Sequence, residues 1–421
     1  MTAILLLAVF ALFATLMFLR RLPALLALPA MAAAVAIVVR EPASLWLSSV
    51  LADGAVRLAP AYVAVCAGAM LGRVMMSTGI AEDVIRRAAE FGGDRPMAVA
   101  AALMAVTAVL FTSLTGLGAI IMVGSLVLPI MMSLGVPRRL TAILFLLAFA
   151  TGFIFNIALW RLYRELLQIA PTAPLPSEIV QFASALAVVM TTVVAGYAAW
   201  AARRAPELRL WSASQRPGRK PGVPLPAYFT PFVPLVLYVV FGWREVPAFI
   251  AGALYGILLT RPRAIVQTLL SSMIRGVEDA APAAILLVGI GMLLNALTLP
   301  AVRAALAPLV AQLPVQSPVG YVLFFTILSP LALYRGPLNP YGVGVGVYTL
   351  MLAAGVLPAF ALLAAIMSIV QVQNVCDPTN THNVWVATYT GVAVEDITRA
   401  TLPAMMLVCL GGLLMGAWLF L

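Results

Sequence analysis

The stretch LYRGPLNPYGVGVGVYTLMLAAGVLPAFALLAAIMSIVQVQNVCDPTNTHN, Leu333 to Asn383, decides the fold. Two apolar segments run through it, and each is broken by residues that a continuous membrane helix avoids. The first break is Arg335-Gly336-Pro337-Leu338-Asn339-Pro340; the second is Asn374-Val375-Cys376-Asp377-Pro378-Thr379-Asn380. Non-helical backbone at membrane depth leaves N–H and C=O groups unpaired unless it is buried in protein or lines a cavity. About 220 residues earlier a fragment with the same layout appears, FTSLTGLGAIIMVGSLVLPIMMSLGVPRRLTAILFLLAFATGFIFN, Phe111 to Asn156. Paired interruptions at matching places in two halves mark the binding region of a transporter.

Composition fixes the broad class. The chain is 63% hydrophobic and 10% charged, with mean hydropathy +1.07. Apolar runs of spanning length recur along all of it, so the expected fold is an all-α polytopic membrane protein. Met1 to Leu19 lacks a positive n-region and a small-residue cleavage site, and it reads as a retained helix. Cys66, Cys376 and Cys409 form no disulfide framework, and no Cys/His spacing suggests a metal or other cofactor. The net charge of +10 is distributed as a membrane topology signal, which argues against nucleic acid as a partner.

The predicted spans are 4–19, 23–39, 58–77, a broken pair 96–133, 138–160 and 178–202, then 227–242, 246–260, 281–299, a second broken pair 317–356, 358–393 with its internal break, and 401–421. Residues 1–202 form the first repeat, 203–224 a cytoplasmic linker and 225–421 the second repeat. If each broken pair is a re-entrant hairpin, each half crosses five times and the two repeats are inverted. With the linker inside, eighteen of the twenty-five basic residues lie inside, Arg73 among them, and six outside, among them Arg161 and Arg164. Both termini then fall outside. Sequence self-similarity supports the duplication: a shift of 220 superposes Gly116 on Gly336, Gly124 on Gly344 and Met131 on Met351, and a shift of 222 puts Gly54 on Gly276. Ala81 to Phe91 and Ala301 to Leu313 read as helices lying along the membrane surface, or as simple connectors.

The breaks carry the candidate chemistry. Asn339-Pro340 and Asp377-Pro378 each read as a helix N-cap followed by proline at the first helical position, starting a half-helix whose positive end suits an anion. At the first tip Thr112, Ser113 and Thr115 supply hydroxyls, and Gly116 and Gly118 allow close backbone approach. The candidate substrate-binding residues are Ser113, Thr115, Gly116, Arg335, Gly336, Asn339, Thr379 and Asn380. Released carbonyls near Thr151, Gly152 and Asn374, with Asn156, Asp377 and the lone histidine His382, are the candidates for a coupling ion, H+ or Na+. The same residues equally well cap and turn helices. Arg335 is the one charge placed deep in the bilayer without a sequence neighbour to pair with, where charge is expensive. It suits a carboxylate carrying hydroxyl or other polar substituents, or else a salt bridge to Asp377. Asp53, Glu278 and Asp279 read as interfacial.

The closing run THNVWVATYTGVAVEDITRATLP, Thr381 to Pro403, resembles the end of the gluconate permease family, with Trp385, Tyr389, Gly391 and Val394 in the characteristic places. The two-hairpin layout looks like the wider ion transporter superfamily, which includes citrate-type organic anion carriers and sodium/proton carriers. That resemblance implies a scaffold of about 1–79 and 226–299, a transport domain of about 96–202 and 316–421, an elevator-like movement, and a homodimer in the inner membrane of a bacterium. Dicarboxylate carriers of the superfamily tend to have Ser-Asn-Thr at both tips. Here the tips read Ser113-Leu114-Thr115 and Arg335-Gly336-Pro337, so sodium coordination by that motif is not implied. The expected function is thus secondary active transport of a small organic anion. The alternatives are a cation/proton antiporter using Asp377, and an intramembrane enzyme built on His382 and Asp377, for which no nucleophile–base spacing appears.

Overall fold

A computed structural model describes residues 1–19, 21–91, 96–169, 175–204 and 222–421. Arg20, Arg95 and most of the predicted linker lie outside the described residues. Among those described there is helix and no strand. The first half contains α1 (Thr2–Phe18), α2 (Ala24–Val38), two short helices α3 (Ala43–Leu45) and α4 (Asp53–Arg57) joined by a π-helical stretch, and α5 (Ala59–Ser77). The amphipathic α6 (Ile80–Phe91) leads to the hairpin α7 (Pro96–Phe111) and α8 (Leu117–Ser133), then α9 (Arg138–Phe153), α10 (Ile157–Leu167) and α11 (Ser177–Arg204).

The second half follows. It runs α12 (Val233–Val239), α13 (Glu245–Thr260), α14 (Ile265–Thr298), α15 (Pro300–Ala311), a hairpin of α16 (Pro318–Leu328) and α17 (Gly344–Ala353), then α18 (Ala359–Cys376), α19 (Thr381–Thr390) and α20 (Val394–Phe420). Among the described residues six helices are long and apolar enough to cross a membrane, or seven if α9 and α10, bent by 61° at their break, form one span. The chain is a multi-pass membrane protein.

The quoted stretch lies at the centre. Every residue of α18 from Ala361 to Cys376 is buried, as expected of a helix apolar on all sides. The outer helices instead turn apolar side chains outward, such as Val266, Leu270 and Ile274 on α14 and Leu407, Leu414 and Trp418 on α20. On a membrane protein those faces meet lipid. α5 and α14 pack along each other as the central pair joining the two halves. Glycine lets backbones approach closely at two places on α14, once against α4 and once against α5. A Cβ on Gly54 would lie 2.6 Å from Met292 Cα, and one on Gly276 would lie 2.6 Å from Met70 N. Small residues that let helix backbones touch are the usual packing device within membranes.

Several boundaries differ from the sequence reading. The predicted span 138–160 is two helices, broken at residues 154–156 rather than at Thr151-Gly152. Asn156 makes the break: its Oδ1 accepts from Ala158 N and Leu159 N as the N-cap of α10. Its Nδ2 donates to Phe111 O and Leu114 O, closing the end of α7. The predicted span 227–242 is a 3-10 turn, Leu225–Phe229, followed by the seven-residue α12. Arg161 and Arg164, expected in an outside loop, are buried on α10, where Arg161 pairs with Glu165 at 2.5 Å and both arginines lie within 4 Å of Glu245. Burial on an amphipathic second arm of a broken helix is the reason that a loop count misplaces them.

Candidate functional site

The second break is organised by one carboxylate. Asp377 is fully buried. Its Oδ1 accepts from Thr379 N at 2.9 Å, from the Thr379 hydroxyl at 2.7 Å, and from Tyr334 N at 3.0 Å. Its Oδ2 accepts from Asn339 Nδ2 at 3.4 Å, and its carbonyl accepts from Asn383 Nδ2 at 2.8 Å. The expected half-helix at Pro378 therefore does not start there. Asp377 ends α18, the carboxylate closes an Asx turn on Thr379, and α19 begins at Thr381. Asn380, which precedes α19, makes a reciprocal pair with Gln373, its Nδ2 on Gln373 O and its Oδ1 accepting from Gln373 Nε2.

The second hairpin tip departs from expectation in the same way. No helix starts at Pro340; α17 begins at Gly344. Asn339 is buried and folds back locally, donating from Nδ2 to Ala332 O at 2.8 Å and accepting at Oδ1 from Tyr341 N at 2.8 Å. Gly336 packs so tightly that a Cβ would overlap Leu331 O. Just before Gly336, Tyr334 and Arg335 both adopt left-handed backbone, φ 56° and 59°. Such geometry costs non-glycine residues roughly 1–2 kcal/mol each. The bond from Tyr334 N to Asp377 offsets part of that cost and fixes where the Arg335 side chain emerges.

At the first tip Ser113 donates to Pro231 O, and Thr115 Oγ1 donates to Val65 O on α5 at 3.0 Å. Thr112 donates to Val109 O within its own turn. The hydroxyls expected to meet a ligand thus dock the hairpin onto the rest of the protein. Gly116 takes φ 86° and lies against Asp279 O, and a Cβ on Gly118 would overlap the Asp279 carboxylate. Thr151 and Gly152 lie inside α9. The Thr151 hydroxyl donates to Leu147 O, and Gly152 O accepts from Phe155 N in the closing turn. Gly152 is a packing position, because a Cβ there would overlap Ala108 O on α7.

These elements surround a cavity of about 560 Å³. Its wall brings together Thr115 and Gly116 from the first tip, Arg335 from the second, and Asn374, Thr379, Asn380 and His382 from the break. Ser113, Thr151, Gly152, Asn156, Gly336, Asn339 and Asp377 do not line it. Arg335 donates to Tyr341 O at 3.4 Å and forms no ion pair among the described residues; the alternative reading, a salt bridge to Asp377, is not made, because that carboxylate is occupied by other donors. His382 bonds to Asn374 O through Nε2 at 2.8 Å. Since a carbonyl only accepts, Nε2 carries the proton, and the ring lies against Phe149, centroids 4.8 Å apart.

Sequence reading missed Asp279. It sits mid-helix on α14 and on the cavity wall, not at an interface. Arg73 on α5 holds it in a two-pronged bond, Nε to Oδ2 at 2.5 Å and Nη2 to Oδ1 at 2.6 Å. The partners are 206 residues apart, and no local signal pairs them. A second cavity, of about 360 Å³, lies beyond this pair and shares Leu117, Asp279 and Pro282 with the first.

No protein-family model matches the sequence, and no curated protein does. The fold does match solved structures. The crystal structure of the YdaH transporter of Alcanivorax borkumensis, described as having an unusual topology, aligns over 90% of this chain and 89% of its own, with TM-score 0.60 and 13% identity. The chain therefore has the fold of a solved membrane transporter. The comparisons do not support the narrower likeness to gluconate permeases or citrate-type carriers. The residues that carried it have local structural work: Gly391 ends α19 in left-handed backbone, φ 67°, and the Trp385 ring packs on Gly124.

Proposed function

We propose that the chain is a secondary active transporter of a small organic anion, a carboxylate, coupled to H+ or Na+. The observation that supports this reading is Arg335: a guanidinium facing an internal cavity, with only a long bond to Tyr341 O. A cavity-lining cation that makes no direct ion pair among the described residues, the Asp377 charge acting on it only from a distance, favours an anionic ligand, and arginine binds a carboxylate with two parallel bonds. The start of α19 at Thr381 opens on the same cavity and adds the positive end of a helix. Rigid scaffold and moving transport units, an elevator-like movement and a homodimer belong to this proposal as its mechanism. The cation antiporter needs Asp377 to meet an ion, and the oxygens of Asp377 are engaged by internal donors away from the cavity wall.

A binding titration on purified protein tests the assignment, comparing a carboxylate with its uncharged amide. Arg335→Lys should weaken the acid by losing the two-pronged geometry, and Arg335→Ala should weaken it further, about tenfold or more. The amide should change little. Equal losses for acid and amide would mean that Arg335 supports the fold rather than the ligand.

A further inference from the structure

Most polar groups around the cavity are committed to the protein itself; Gln373 Oε1 and Asn374 Nδ2 have no partner among the described residues but are buried with no surface open to a ligand. Thr115 Oγ1 donates to Val65 O, and the Thr379 hydroxyl donates to Asp377. The Asn380 side chain is paired on both sides with Gln373, and Asp279 is gripped by Arg73. His382 uses Nε2 on Asn374 O and offers the cavity one ring nitrogen. Among the described residues that leaves the Arg335 guanidinium as the one charged donor on the cavity wall without an ion pair. Most of the remaining wall is hydrocarbon, including Phe111, Phe149, Phe153, Leu162, Leu286 and Leu287.

A polyhydroxylated acid brought into this space would leave hydroxyl after hydroxyl without a partner, and each buried unpaired polar group opposes binding. A volume of about 560 Å³ also exceeds what a carboxylate group needs and falls in the range that encloses a larger apolar molecule. We infer that the substrate is a monocarboxylate with an apolar aryl or alkyl body, its carboxylate on Arg335 and its body against the phenylalanine and leucine wall. This rests on the carboxylate reading above and replaces the polar substituents expected from sequence with hydrocarbon.

The test uses the full chain in lipid nanodiscs and three probes: 3-phenylpropanoate, 3-phenylpropanamide and gluconate. The phenyl acid should bind about tenfold or more tightly than gluconate. Leu286→Asn should weaken the phenyl acid several-fold without improving the amide, while Leu286→Met, which keeps size and apolarity, should leave it unchanged. Gluconate binding as tightly as the phenyl acid, with Arg335→Ala weakening both, overturns the apolar body and leaves the carboxylate reading standing. Phenyl acid and amide binding alike, with Arg335→Ala without effect, overturns the carboxylate reading itself. So does failure of both acids to bind.

Discussion

The Asp377 carboxylate accepts the backbone N–H of Tyr334 at 3.0 Å, so the break after α18 and the tip of the second hairpin are held as one unit. Because Tyr334 is left-handed and precedes Arg335, the position of the cavity's guanidinium depends on a carboxylate that does not itself reach the cavity.

Asp377→Asn keeps an acceptor for Tyr334 and Thr379 but turns an amide towards Asn339 Nδ2, which is already fixed on Ala332 O. The charge assistance is lost and two donors face each other. The expected cost is about 1.5–3 kcal/mol of stability, with loss of accumulation in proteoliposomes and a still-folded protein. Asp377→Ala should cost more. A variant with asparagine that matches the parent in melting temperature and uptake would show that the charge is unnecessary.

Removing one partner of the Arg73–Asp279 pair strands the other. For a fully buried pair that costs roughly 3–5 kcal/mol. Since Arg73 is 25% exposed, about 2 kcal/mol is the better expectation. The double variant Arg73→Met with Asp279→Leu should recover much of it, read as coupling in a double-mutant thermal-denaturation cycle. Additive losses would show that the pair is not coupled.

Gly152→Ala places a methyl group against Ala108 O and must separate α7 from α9. Overpacking of that kind costs about 1–3 kcal/mol. Thermal unfolding in detergent should show it as a lower midpoint. An unchanged midpoint with altered ion dependence would instead return Gly152 to the role of a coupling-ion residue.

Asp83 on α6 fastens the segment around Val223 and Tyr228. It accepts from Tyr228 OH at 2.6 Å and Val223 N at 3.0 Å, and pairs with Arg86. Burial pushes this carboxyl up, but the bonds from Tyr228 and Val223 and the Arg86 charge outweigh it and hold it below the usual range. A depressed folded value means that the contribution is complete above the unfolded value, about 4, and is lost as pH falls through the folded one. Protease cleavage near residues 222–228 should therefore be slow at neutral pH and accelerate below pH about 4. In Asp83→Asn it should be fast at neutral pH. Equal cleavage of both proteins at neutral pH would remove Asp83 from this role.

Local sequence determined the helices and their interruptions. Apolar run length sets whether a segment can span, and Gly, Pro, Asn and Asp set where helical bonding stops, because those effects act within one turn of chain. That is why Leu333–Asn383 could be read as two broken segments, and why the region around Asn156 could be suspected. Partnership was another matter. Whether Asp377 caps a helix, ligates an ion or holds Tyr334 uses the same oxygens, and only the approach of a hairpin tip 43 residues away in sequence chose among them. The tip hydroxyls of Ser113 and Thr115 were spent on carbonyls of Pro231 and Val65 in the same way. Arg73 met Asp279 across 206 residues, and Arg161 and Arg164 were buried with Glu245 rather than left in a loop. Side-chain charge and hydrogen-bonding capacity are written in the sequence; the tertiary structure decides which groups consume them.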